Sequence, residues 1–263
     1  MIAVLYASGL LLTYMGAVCY HFWRLTRPDD MLSLPGNWQT LVSNAFYINL
    51  NICPERERHM TDLMKRIGIP CERFDAVDGL DAALKYPDVM IPEKEVGIKL
   101  SHMGVLGETE LTGWTLVFED DVTLLDNRIL KYLDDMPGTA KLAHFGIDPW
   151  SVLWCVLTFR FRRVSNGVWS TSYPTRCKHA YAITRSGAEK WLKEIETNFY
   201  EFPLNKHGYG IDRVYVCHKM SDMWDMWKVL TLQDVSYVRQ DKEQFGYMPL
   251  TSNSVLYTRI PTL

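Results

Sequence analysis

The chain has 263 residues, 48% hydrophobic and 22% charged, with 28 basic against 31 acidic side chains and a net charge of −3. These totals suit a globular domain with an appendage and give no argument for a nucleic-acid-backbone partner, which would favour a basic stripe. The six cysteines (Cys19, Cys53, Cys71, Cys155, Cys177, Cys217) form no Cys-x-x-Cys pair, which excludes the common zinc and dithiol redox motifs.

Residues 2–23 contain no Asp, Glu, Lys or Arg. As a helix rising about 1.5 Å per residue, such a run crosses a hydrocarbon core of ~30 Å. The expectation is a single-pass membrane anchor over residues 1–23. A cleaved signal peptide fits less well, because no basic n-region precedes the run. Arg24 and Arg27 follow it. The positive-inside rule places that side in the cytoplasm, whereas many anchored Golgi enzymes hold their domain in the lumen. The side of the membrane therefore stays open between the cytoplasmic face and an endomembrane lumen. Residues 24–42, with Pro28, Asp29, Asp30, Pro35 and Gly36, have linker composition, and residues 43–263 form the domain.

Phe46–Leu50 reads as the first strand. Pro54 suits a helix's first turn, and Met60, Leu63, Met64 and Ile67 make the stripe of an amphipathic helix. Gly68 ends it, with Pro70 beyond. Cys71–Val77 reads as a second strand, and Asp78-Gly79 as a turn. Strand, helix, strand within about thirty residues is a βαβ unit, which predicts a mostly parallel central sheet. Glu93–Leu111 reads as a helix carrying Ser101 and His102. Thr115–Phe118 and Leu142–Ile147 read as strands, with a short helix at Asn127–Leu133 between them. Ser151–Thr175 has no regular pattern. His179–Thr184 reads as a strand leading into a helix, where Ser186 and Glu189 have the spacing of a capping box. Trp224 and Trp227, three apart, read as one face of a packed helix rather than a sugar platform.

The densest chemistry lies at Leu116-Val117-Phe118-Glu119-Asp120-Asp121, an apolar run ending in three carboxylates. In open α/β sheets ligands gather at the carboxyl ends of strands. Alternation sends Glu119 and Asp121 to one side and Asp120 to the other. Clustered like charges repel, so the triplet calls for a counter-charge. A Mg²⁺-type cation, held by one or two carboxylates and substrate phosphates, supplies it. The plainer alternative is a solvated acidic turn.

Three further segments stand in order around this one. They are Tyr47-Ile-Asn49-Leu…Pro54-Glu-Arg56-Glu-Arg58…Phe74-Asp-Ala-Val-Asp78-Gly79, Gly97-x-x-Leu-Ser101-His102, and His179-Ala-Tyr-Ala-Ile-Thr-Arg-Ser-Gly-Ala-Glu-Lys190. Together with Val117-Phe-Glu-Asp-Asp-Val122 they resemble glycosyltransferase family 25, the lipooligosaccharide-type and procollagen-type galactosyltransferases, over roughly residues 44–215. The resemblance implies a GT-A-like α/β fold. It also implies inverting transfer of a hexose, galactose or glucose, from a UDP-sugar to a hydroxyl of a glycan or hydroxylated protein. Within it, Asp121 would hold Mn²⁺ or Mg²⁺ with Glu119. Glu119 and Asp120 would also contact the donor's ribose or the metal's waters. Asn49, Arg56, Asp78 and Ser101 would contact the donor. Asp212 would be the base that takes the acceptor's proton, with His102 as runner-up. The chain departs from the family pattern at Ile52, Glu57 and Ile98, positions that bear on donor binding.

Each of these residues also has a structural reading. Arg56 and Arg58 would then be solvated helix charges, His102 a packed histidine, and Asp78 a plain turn residue. Two other function classes use the same acidic cluster: a metal-dependent nucleotidyl- or phosphotransferase, and a degenerate transferase kept as a non-catalytic binding module. The absence of a Gly-Lys-Ser/Thr phosphate loop disfavours an ATPase version of the former.

Overall fold

The computed structural model describes residues 12–20, 38–86, 93–124, 129–134, 136, 138, 140–145, 157, 161–165, 168–171, 179–198, 223–226 and 231–233. The domain opens with β1 (Val42–Asn49), α1 (Pro54–Ile67) and β2 (Glu72–Asp75), with β1 and β2 parallel. The predicted stripe of α1, Met60, Leu63, Met64 and Ile67, is buried. Glu55 and Glu57 lie in its first turn and Lys65 and Arg66 in its last, which complements the helix dipole at both ends. Gly68 closes it in a left-handed conformation (φ 73°), its N–H bonding the Met64 carbonyl at 2.9 Å. Glycine adopts that φ without the Cβ clash any other residue would meet.

Two helices follow, α2 (Gly79–Lys85) and α3 (Glu93–Gly107), then β3 (Trp114–Glu119), which lies parallel to β1 on the side opposite β2. β4 (Val122–Leu124), α4 (Ile129–Asp134) and β5 (Leu142–His144) come next. The segment expected to be irregular holds a hairpin, β6 (Phe161–Ser165) and β7 (Val168–Thr171). β8 (Ala180–Ile183), α5 (Arg185–Asn198), β9 (Met223–Met226) and β10 (Thr231–Gln233) follow, and a single helical turn, Trp38–Leu41, precedes β1.

Among the described residues, the main sheet has eight strands in the order β2-β1-β3-β8-β5-β9-β7-β6, and β10 and β4 form a separate antiparallel ribbon. Following the pairings along it, β8 and β7 run against the other six strands. The sheet is thus parallel in its majority but mixed in its pairings.

Alternation along the strands makes two cores, one on each face. Ala45, Tyr47, Leu116, Phe118, Ala180 and Ala182 pack with the stripe of α1. Phe46, Ile48, Val117, Tyr181 and Ile183 pack with Val96, Val105 and Leu106 of α3 and with Ala188, Trp191 and Ile195 of α5. Near-continuous apolar strands such as Trp114–Phe118 are what a sheet covered on both faces requires.

Several local expectations are corrected. Asp78 is the N-cap of α2 rather than part of a free turn, its carboxylate accepting from the N–H of Leu80 at 2.8 Å. α5 begins one residue before Ser186, so the cap is Thr184, whose hydroxyl accepts from the N–H of Gly187 at 3.3 Å. Glu189 pairs instead with Arg185 at 3.0 Å. Trp224 lies in a strand, β9, not on a helix.

Residues 12–20 are helical, and the Tyr14 hydroxyl donates to the Leu157 carbonyl at 2.9 Å. Among the described residues no helix is long and apolar enough to cross a membrane. The rest of the expected anchor, and the linker up to residue 37, lie outside the described residues.

Candidate functional site

The connections from β1 and β2 run to opposite sides of β1. Its two neighbours, β2 and β3, therefore flank it, and the strand order reverses there. At such a switch point the loops leaving adjacent parallel strands diverge, opening a crevice at their carboxyl ends. Asn49 ends β1 and Glu119 ends β3, with Ile48 and Glu119 in register, so both reach that crevice. Asp120 and Asp121 form the turn just beyond.

The two faces of the sheet divide the predicted residues. On the α1 side, Asn49, Arg56 and Asp120 bind one another. Arg56 Nη1 donates to Asp120 Oδ1 at 3.1 Å, and Asn49 Nδ2 donates to Asp120 Oδ2 at 2.8 Å. Asn49 is 1% exposed and Arg56 6%. Burial pushes the Asp120 carboxyl above its ordinary value, and Arg56 and Asn49 hold back part of that rise. Asn49 Nδ2 also reaches the Cys53 carbonyl, while its Oδ1 is buried without a hydrogen-bond partner among the described residues. The trio expected to grip a donor is therefore assembled, chiefly by its own internal bonds.

On the α3 side, His102 stands between Tyr181 and Glu119. Its Nδ1 lies 2.9 Å from the Tyr181 hydroxyl and its Nε2 3.4 Å from Glu119 Oε1. Burial would raise the Glu119 carboxyl. The His102 hydrogen bond and the charges of His102, His179 and Lys94 outweigh it and leave the group below its ordinary value. Glu119 is thus a carboxylate in positive surroundings. His102 is 1% exposed with both ring nitrogens engaged. In this arrangement His102 braces Glu119; a base must in addition reach the proton it takes. Tyr181, His179 and Lys94 were not singled out from the sequence. One signal was available: Tyr181 shares its face of β8 with apolar residues, and a buried tyrosine hydroxyl needs a partner.

Ser101 is a latch. Its hydroxyl donates to the Gly97 carbonyl at 2.7 Å and accepts from the N–H of Val77 at 2.8 Å, which joins α3 to the loop after β2. One turn earlier, a Cβ on Gly97 would lie 2.7 Å from the Val77 carbonyl oxygen and 2.9 Å from Gly79 Cα. Alanine gains about 1 kcal/mol of helix propensity over glycine, but backbone atoms this close cannot yield cheaply. Gly97→Ala should therefore lose about 1–2 kcal/mol net, visible as a lower denaturant midpoint with an unchanged slope.

Asp121 is buried in the turn after β3, and Asp212 lies outside the described residues. Among the described residues no group of three or more His, Cys, Asp or Glu is placed to hold a metal ion. Asp120 is committed to Arg56 and Asn49. The other two carboxylates of the triplet are Asp121 and Glu119. Two carboxylates fit a Mg²⁺-type ion that takes its other oxygens from water and substrate phosphates.

No protein-family model matches the chain. No curated protein matches it. Among solved structures, the chain is similar to a crystal structure of a glycosyltransferase involved in the glycosylation of the major capsid of PBCV-1. The identity is 11%, over 78% of this chain and 97% of that one, with a TM-score of 0.43. A likeness that distant decides neither activity nor substrate.

Proposed function

We propose that the chain is a glycosyltransferase with a GT-A-like domain, moving a hexose from a UDP-sugar to a hydroxyl of a glycan or hydroxylated protein, with inversion. The observation that carries this reading is the acidic triplet at the β1/β3 switch point, the place in an open α/β sheet where a nucleotide's phosphates and a carboxylate-held cation would meet. The family 25 resemblance of the segments lining that crevice supports the choice of donor.

Asp121, with the free oxygen of Glu119, would hold Mn²⁺ or Mg²⁺. Such an ion supplies Lewis-acid stabilisation of the negative charge that develops on the departing diphosphate. Glu119, kept ionised by its basic neighbours, contributes an oriented acceptor. Asn49 offers its buried Oδ1 to an N–H or O–H of the donor. Asp212 is proposed as the base that takes the acceptor hydroxyl's proton. Residues 1–23 are proposed as a single-pass membrane anchor.

The test is release of UDP from UDP-galactose and UDP-glucose with Mn²⁺. Turnover should appear with one of them and vanish in excess chelator, returning when Mn²⁺ is restored. Turnover that persists in chelator rules out the metal. Release of pyrophosphate or nucleoside monophosphate indicates a nucleotidyl- or phosphotransferase. The closure of Asp120 onto Arg56 and Asn49 gives some weight to a binding module, which would bind UDP and turn nothing over.

A further inference from the structure

The carboxylate of Glu119 is held from behind by two residues. Tyr181 is fully buried, its ring edge-on to Trp191 at 5.1 Å and near-parallel to His102 at 5.7 Å. It projects from β8 on the same face of the sheet as Glu119 on β3. A carboxylate only accepts hydrogen bonds, so His102 turns an Nε2–H to Glu119. Its Nδ1 shares a hydrogen bond with the Tyr181 hydroxyl, 2.9 Å away. Phenylalanine would fill the same space among Trp191, Ile183 and Val117 without burying a hydroxyl. Packing alone does not ask for that oxygen; the histidine does.

We propose that Tyr181 is a positioning residue, which through His102 fixes the orientation of the Glu119 carboxylate and so turns its second oxygen to the ligand in the crevice. This deepens the transferase reading, on which the identity of that ligand rests. The chain of contacts spans β8, α3 and β3, so it ties the crevice wall to the centre of the sheet. Residues that orient a ligating group in this way typically change affinity or activity by about 10–100-fold when removed.

Tyr181→Phe keeps the ring and removes one oxygen. Nitrogen NMR of His102 and carbon NMR of the Glu119 carboxyl, with the unfolding midpoint as a control, read the relay without any ligand. The variant should change the His102 Nδ1 signal, through loss of its hydrogen-bond partner, and shift the Glu119 carboxyl signal. Its affinity for UDP with Mn²⁺ should fall about tenfold. An unchanged Glu119 carboxyl signal would overturn the proposal, as would a shifted signal with unchanged UDP affinity. Wild-type protein that does not bind UDP removes the transferase reading instead, and the carboxyl signal alone then decides the role of Tyr181.

Discussion

Asp120→Ala should destabilise the domain by about 3–5 kcal/mol, the range for removing one partner of a buried ion pair. Both side chains are well covered, at 8% and 13% exposure, so solvent screening discounts little of this. The loss arises because a buried guanidinium would keep its charge without the carboxylate that faces it at 3.1 Å. Asp120→Asn should also be destabilising, by about 1–3 kcal/mol. Both Asp120 oxygens accept, one from Arg56 and one from Asn49, so an amide must turn its own NH₂ toward one of two donors. Replacing the pair together, Arg56→Met with Asp120→Leu, removes the uncompensated charge and should recover most of the loss. Denaturant unfolding of the two single variants and the double variant forms the cycle that checks this. Equal and additive losses would show that the pair is not coupled.

This network shows where the sequence was legible. The apolar stripe of α1, the helix stop at Gly68 and the buried strand ending in carboxylates each depend on neighbours a few residues away. Those elements were found where local pattern placed them. Strand alternation even separated Glu119 from Asp120 correctly, onto opposite faces of the sheet. What the sequence did not show is partner choice. Asp120 meets Arg56 across 64 positions and His102 meets Tyr181 across 79. Periodicity carries no information over such distances. Arg56 and Ser101, expected to contact the donor, also make internal bonds that the sequence did not show, because a buried polar residue bonds to whatever the fold brings close. The errors at Asp78 and Ser186 were of another kind. Capping residues were recognised as polar punctuation, but helix starts were misplaced by two residues or missed, which boundary arguments from sequence routinely do.

If the crevice holds a donor through a cation, Asp121→Asn should reduce UDP-sugar turnover by about 10²-fold or more, while Glu119→Gln should reduce it by only about tenfold. The ranking follows from the two environments. A glutamine at 119 retains an oxygen that accepts from His102 Nε2, so its position survives and only its charge is lost. The basic groups that act on Glu119, His102, His179 and Lys94, already offset much of that charge. Asp121 lies in the turn between β3 and β4, just past the carboxyl end of β3. Asparagine there preserves the shape but removes the charge a Mg²⁺-type ion needs. Turnover measured across a Mn²⁺ titration separates binding of the ion from chemistry. Activity of Asp121→Asn should recover in part at high Mn²⁺, whereas a purely structural defect would not respond to the ion. The reverse ranking, with Glu119→Gln the more damaging, would move the ion's main ligand to the end of β3. It would also make the Tyr181–His102 support behind that carboxylate the more important half of the site.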